Sequence, residues 1–154
     1  MNLREEIENQ YKSSIKDKNT DLTNTLRLVK SAIKDKDIEA RSKGNNEGIS
    51  NQDIFVLLQS LVKQRKDSIE AFQSADRKDL IEKEQEEINI IISFLPKQKN
   101  EKDTEDIIDK LIKEFNFNSL REMGQLMKIL KEKYSGQIDI ALAGNIAKTK
   151  LSNK

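Results

Sequence analysis

The side chains that most often move protons or hold transition metals are missing from this sequence: its 154 residues contain neither histidine nor cysteine. That removes imidazole acid/base chemistry, thiolate nucleophiles, disulfides and zinc-type centres together. The remaining place where reactive groups crowd is the acidic run Glu82, Glu84, Glu86 and Glu87. At about 100° per helical residue these four carboxylates point in different directions, and the histidines of a di-iron bundle are not there to join them. No glycine-rich phosphate loop, no serine–lysine or cysteine nucleophile arrangement and no carboxylate-rich metal loop is recognised. The sequence therefore predicts no catalytic residue, no metal site and no cofactor.

Binding chemistry is better represented. The stretch "LVKQRKDSIEAF", residues 61–72, sets Lys63, Arg65 and Lys66 close together. Projected as a helix, Ile54, Leu57, Leu58, Leu61, Val62, Ile69 and Phe72 form one apolar arc with Arg65 near its middle. Lys63 and Lys66 fall outside the arc and are expected to make i,i+4 pairs with Asp67 and Glu70. An arginine on an apolar arc must reach the edge or meet a carboxylate. On the following helix Glu84 lies among Leu80, Ile88, Ile91 and Leu95, so a structural Arg65–Glu84 ion pair is predicted; a buried binding or catalytic role for it stays open.

Two further groups of cations suit a polyanion. Arg27, Lys30, Lys34 and Arg41 project into one strip beside the apolar face of their helix, with Asp21, Asp35 and Glu39 on the other flank. Charge segregated in this way is what phosphate contact requires, and it is equally what an ordinary solvated face can carry. From Arg121 onward, Arg121, Lys128, Lys131, Lys133, Lys148, Lys150 and Lys154 meet only Glu122, Glu132 and Asp139. Lys128, Lys131, Lys148 and Lys150 are the phosphate-contact candidates there.

These residues need scaffolding, and the apolar spacing is helical nearly throughout. Leu3, Ile7, Tyr11 and Ile15 recur in steps of four; Leu22, Leu26, Val29, Ile33 and Ala40 share a face after a turn at "KNTD", with Thr20 or Asp21 as N-cap. "RSKGNNEG" ends that helix, and Ser50 opens the next with the capping-box pattern "SNQD". A fourth helix is expected from about Asp79 to Leu95, stopped by Pro96. Three shorter patterns follow: Ile107, Ile108, Leu111, Ile112 and Phe115; then Met123, Leu126, Met127 and Leu130; then Ile140, Leu142, Ile146 and Leu151. Gly124, a poor helix former, is expected where another backbone comes close. With 36% charged and 5% aromatic residues the chain suits thin helical layers better than a sheet core. The predicted fold is all-α, a bundle of about four helices over residues 1–96 followed by a three-helix module over 97–154. The absence of a signal-type run or a membrane-length apolar stretch sets the expectation of a cytoplasmic protein with no membrane partner.

The segments "RLVKSAIK", "LVKQRKDSIEAF", "ADRKDLIEKEQEEINIIISFLPKQ" and "MGQLMKILKEKYSG" together resemble the YqeY-like family, related to the C-terminal tail of the B subunit of tRNA-dependent amidotransferases. The resemblance covers most of the chain and implies an N-terminal helical bundle and a terminal module similar to ubiquitin-associated domains. It also brings a family-level label, carbon–nitrogen ligase activity with glutamine as amido-N-donor, for which no residue of either half-reaction is found. The tail of the amidotransferase reaches the outer corner of tRNA, so tRNA or another structured RNA is the implied partner, with a protein partner docking on the terminal module as the alternative. One departure stands out: where the family often has Met-Gly-Lys, this sequence has Gln125 after Met123 and Gly124.

Overall fold

The computed structural model describes residues 2–153, and seven α-helices run through them. They are α1 (Leu3–Lys16), α2 (Thr20–Ser42), α3 (Asn51–Ser74), α4 (Lys78–Ile92), α5 (Glu101–Phe115), α6 (Met123–Lys133) and α7 (Ile140–Ser152), with a 3₁₀ turn at Leu120–Glu122 before α6. No strand occurs among the described residues, and the protein is all-α. The chain divides into two compact units, Met1–Pro96 and Lys97–Lys154. Lys154, counted above in the basic end, lies outside the described residues.

Short polar side chains start five of the helices. Asn2, Asn19, Ser50, Asn100 and Asp139 each accept a backbone N–H from the first turn that follows, which satisfies donors that have no partner inside the helix. The cap of α2 is Asn19, one residue before Thr20 and two before Asp21, the expected caps. The Ser50 hydroxyl accepts from Asp53 N–H at 3.1 Å, as its capping pattern predicts. Helix α4 stops at Ile92, earlier than its apolar pattern suggests. Pro96 disfavours helical geometry at the residue before it, and the N–H groups of Phe94 and Leu95 bond the carbonyls of Ile91 and Ile92 in a tightened last turn.

In the first unit α3 and α4 form the most extensive helix pair, α1 packs on α2, and α2 packs on α4. Leu3, Ile7, Leu26, Val29, Ile33, Ile54, Leu58, Val62, Ile88, Ile91 and Phe94 make its core. The four-residue steps of α1 do not keep to one face. Each step gains about 40°, so Ile15 has turned away and is 50% exposed. Ser14 is buried in its place, donating its hydroxyl to the Tyr11 carbonyl at 2.7 Å and accepting one from Thr23 at 2.8 Å.

In the second unit α7 packs on α5 and α6 around Ile108, Leu111, Ile112, Phe117, Leu126, Leu130, Ile138, Ala143, Ala147 and Leu151. Leu130 is fully buried, with Met123 and Met127 packed against the core. Two expectations fail in this unit. Gly124 has open space where a Cβ would stand, so no neighbouring backbone explains it. Phe115, expected on the apolar face of α5, is 45% exposed, although Ile112 in the same last turn is buried.

Candidate nucleic-acid interface

Helix α2 turns Leu26, Val29 and Ile33 inward, which directs Arg27, Lys34 and Arg41 to solvent. None of these three makes an ion pair among the described residues. Lys30 belongs to the same strip but is engaged: its ammonium lies 2.7 Å from the Glu8 carboxylate and 4.1 Å above the Tyr11 ring. The strip borders a groove of about 400 Å³ between α1 and α2, lined by Arg4, Glu8, Tyr11, Arg27, Lys30 and Lys34 among others. Both carboxylates on this groove, Glu8 and Asp37, are already matched by Lys30 and Arg4. The charge it presents in excess therefore comes from Arg27 and Lys34. The nearby acid Glu39 is drawn away to Lys36 and Lys43, whose charges lower its pKa, Lys36 contributing most.

One end of the groove is fixed by a polar knot. Arg4 donates to both oxygens of Asp37, at 2.9 and 2.7 Å, and to the Ile49 carbonyl at 3.0 Å, while Ile49 N–H donates to Asp37 at 2.9 Å. The Arg4 hydrogen bonds, more than the opposing effect of burial, hold the Asp37 carboxyl below its ordinary range. Gly48 makes the close approach feasible. It has φ +90°, and a Cβ there would stand 2.8 Å from the Asp37 carboxylate and 2.9 Å from the Arg4 guanidinium. Sequence reasoning missed Arg4 because its partner lies 33 residues away, beyond any local periodicity.

The buried pair differs from the one expected. Arg65 donates its Nε–H to Glu87 at 2.9 Å and a terminal N–H to the Leu61 carbonyl at 3.1 Å. Arg65 and Glu87 side chains are 12% and 15% exposed. Glu84 is therefore not the partner, and the reason is axial register. The α3–α4 turn centres on Asp76, whose positive φ of 52° ends α3 while Arg77 N–H bonds the Phe72 carbonyl. Arg65 and Glu87 stand equally far from Asp76 along the chain, hence at the same level of an antiparallel pair. Angular projection finds the face but not that level. The i,i+4 pairs Lys63–Asp67 and Lys66–Glu70 are not formed; all four side chains belong to exposed residues.

In the second unit Lys128, Lys131 and Lys148 are exposed and make no ion pair among the described residues. Lys150 is committed instead. Its ammonium lies 2.8 Å from Asp109 and 3.2 Å from Glu105, linking α7 to α5, and the hydrogen bond to Asp109 is the main cause of its raised pKa. Of the eight candidate cations, Lys30 and Lys150 thus serve the fold, whereas Arg27, Lys34, Arg41, Lys128, Lys131 and Lys148 keep their charge available. Lys133, counted in the basic end but not among the eight candidates, lies over the Phe115 ring at 5.9 Å from its centre. Among the described residues no three acidic side chains gather as a metal site would require, and no helix is long and apolar enough to cross a membrane.

Comparison with known proteins gives this arrangement a family. An uncharacterized protein of Schizosaccharomyces pombe (strain 972 / ATCC 24843) is 33% identical over 95 residues, which cover 62% of this chain and 73% of that protein. "Altered inheritance of mitochondria protein 41, mitochondrial" of Lachancea thermotolerans is 42% identical over 71 residues, 46% of this chain and 36% of the relative. The protein of the same name from Saccharomyces cerevisiae (strain YJM789) is 30% identical over 109 residues, 70% of this chain and 57% of the relative. The matches to these two mitochondrial relatives thus span between about a third and somewhat over half of their length. The family described as "Yqey-like protein" matches residues 4–151, nearly the whole sequence, and the chain belongs to that family.

Proposed function

We propose that the protein is a non-catalytic helical module that binds RNA, with tRNA or a tRNA-linked assembly as its target. One observation carries this: Arg27, Lys34 and Arg41 stand in a single line on the solvent face of α2, and none makes an ion pair with a carboxylate among the described residues, although the charge of Arg41 is felt by Asp37. Successive members are seven residues apart, about 10 Å along the axis, so one edge of the helix can meet several phosphates of one backbone. Each such contact releases counterions and gains affinity without reading sequence. Lys128, Lys131 and Lys148 provide a second cationic surface of the same kind on the other unit. The relation of the family to the amidotransferase tail supports a tRNA target, and the carbon–nitrogen ligase label is inherited from that enzyme's other domains.

The test is fluorescence anisotropy of labelled tRNA titrated with the full chain at several salt concentrations. Affinity should fall steeply, with a log–log slope of about −3 to −5 if three to six phosphates are neutralised. A flat response from about 50 to 200 mM salt, or no binding at micromolar protein, rejects the proposal. Capture of partner proteins that survives nuclease treatment, without RNA binding, would replace it with a protein–protein adaptor. Glutaminase or ATPase activity in the purified protein would replace it with an enzyme.

A further inference from the structure

We infer that Phe115 is a stacking platform for an unpaired base, and that Lys133 holds the phosphate of the stacked nucleotide; this rests on the RNA reading above and names the part of the RNA that the second unit takes. Phe115 continues the line of Thr104, Ile108 and Leu111 along α5, all three buried, yet its ring is left 45% exposed. The exposure is not looseness. Asn116, in left-handed geometry at φ 56°, turns the chain directly after Phe115 and brings back Phe117, whose ring is buried in the core. The two rings stack with centroids 5.7 Å apart and planes inclined by 15°. Phe115 is thereby an aromatic surface fixed from beneath, with little freedom left to lose when a second ring lies on it.

The charge beside it selects the occupant. Lys133 is exposed, its ammonium stands over the ring 5.9 Å from the centre, on a long side chain that can swing aside to the phosphate of a base laid there, and no carboxylate is paired with it among the described residues. An aliphatic patch of a protein partner would gain nothing from a lysine at that distance. A nucleotide matches both features, since its base has a face for the ring and its phosphate has a charge for the ammonium. The unit as a whole carries 12 Lys and Arg against 9 Asp and Glu, a net +3, which favours the same class of ligand. A paired duplex keeps its bases stacked on one another, so the platform should discriminate for loops, bulges or ends.

The experiment compares two RNAs of equal length, a hairpin with 2-aminopurine in its loop and a blunt duplex, against the full chain and the variants Phe115→Leu, Phe115→Trp and Lys133→Gln. The wild type should quench the loop fluorophore and prefer the hairpin. Phe115→Leu should weaken hairpin binding roughly 5- to 100-fold, as expected for loss of one stacked base, and leave duplex binding unchanged. Phe115→Trp should retain the quenching, and Lys133→Gln should weaken the hairpin by a smaller factor. Circular dichroism checks that each variant stays helical, and the tryptophan variant keeps the test decisive if the leucine variant does not. If wild type binds both RNAs in a salt-dependent way but without quenching, or Phe115→Leu and Phe115→Trp behave alike, the platform is wrong and the cationic strip stands. If wild type binds neither RNA, the RNA reading itself fails.

Discussion

The two units treat their lysines and arginines differently. In the first, cations sort by depth: Arg65 meets Glu87 between α3 and α4, Arg4 and Lys30 secure the groove between α1 and α2, and Arg27, Lys34 and Arg41 stay free outside. In the second, the one engaged cation among the candidates is Lys150, which meets Glu105 and Asp109 across α5 and α7. The difference teaches that a cation's availability is decided by the neighbouring helix. Lys30 and Arg27 lie three residues apart on one helix, yet α1 brings Glu8 to one and no acid to the other.

The largest effect that would break this contrast lies at the buried pair. Glu87→Ala should destabilise the first unit by about 3 kcal/mol, because it strands a guanidinium that is mostly shielded from water. Glu84→Ala should change it by less than about 0.5 kcal/mol. Urea unfolding followed by circular dichroism measures both, and equal losses would remove the distinction. A second test concerns the free line itself. Reversing Arg27, Lys34 and Arg41 to Glu should weaken tRNA binding on the order of a hundredfold near 150 mM salt, whereas Lys30→Gln should cost less than about threefold. If the Lys30 variant loses as much as the triple reversal, pairing does not govern availability.

Gly48→Ala comes next in size. It should destabilise the first unit by about 2 kcal/mol, from a positive φ combined with contact on the Arg4–Asp37 knot. The smallest effects separate the units by pH. The Asp37 carboxyl is depressed below its ordinary 3.8 by Arg4, so its contribution is complete above that value and fades as pH falls through the lower folded one. The Lys150 ammonium is raised above its ordinary 10.5 by Asp109 and Glu105, so its contribution is complete below that value and fades as pH rises through the higher folded one. Acid titration of Asp37→Asn should flatten the low-pH loss in the first unit. Alkaline titration of Lys150→Gln should flatten the high-pH loss in the second, by under about 1 kcal/mol since both of its partners are half exposed.

Much of the fold was legible because amphipathic helices write their faces into local spacing. The apolar sets of α2, α3 and α4 predicted from period alone supply Leu26, Val29, Ile33, Ile54, Leu58, Val62, Ile88 and Ile91 to the core. What failed depends on where one helix stands against another. Glu87 was missed for Glu84 because projection has no axial coordinate, although the distance of each residue from the "ADR" turn holds that coordinate in the sequence itself. Arg4–Asp37 joins helices through a loop with no periodicity to extrapolate. Phe115 reads as core, and no local pattern tells that it stays half exposed while Ile112 of the same turn is buried. The candidate cations were legible as a strip, but not which of them a neighbour would neutralise.

The turn at Asp76 has a consequence for how this sequence can vary. Because Arg65 and Glu87 are matched by counting outward from it, adding or deleting one residue there would slide α4 by about 1.5 Å and rotate it by about 100° relative to α3. That would carry Glu87 away from the guanidinium and Ile88 and Ile91 out of their seats. The loop between α2 and α3 is tied at its far end by the Arg4–Asp37 knot and within itself by Asn45, which bonds Gly48 and Glu47. No buried ion pair is matched by counting across it, so the stretch from Gly44 to Glu47 can lengthen without changing the level of any helix pair. Length changes tolerated during divergence should therefore accumulate in that stretch and be purged at residues 75–77.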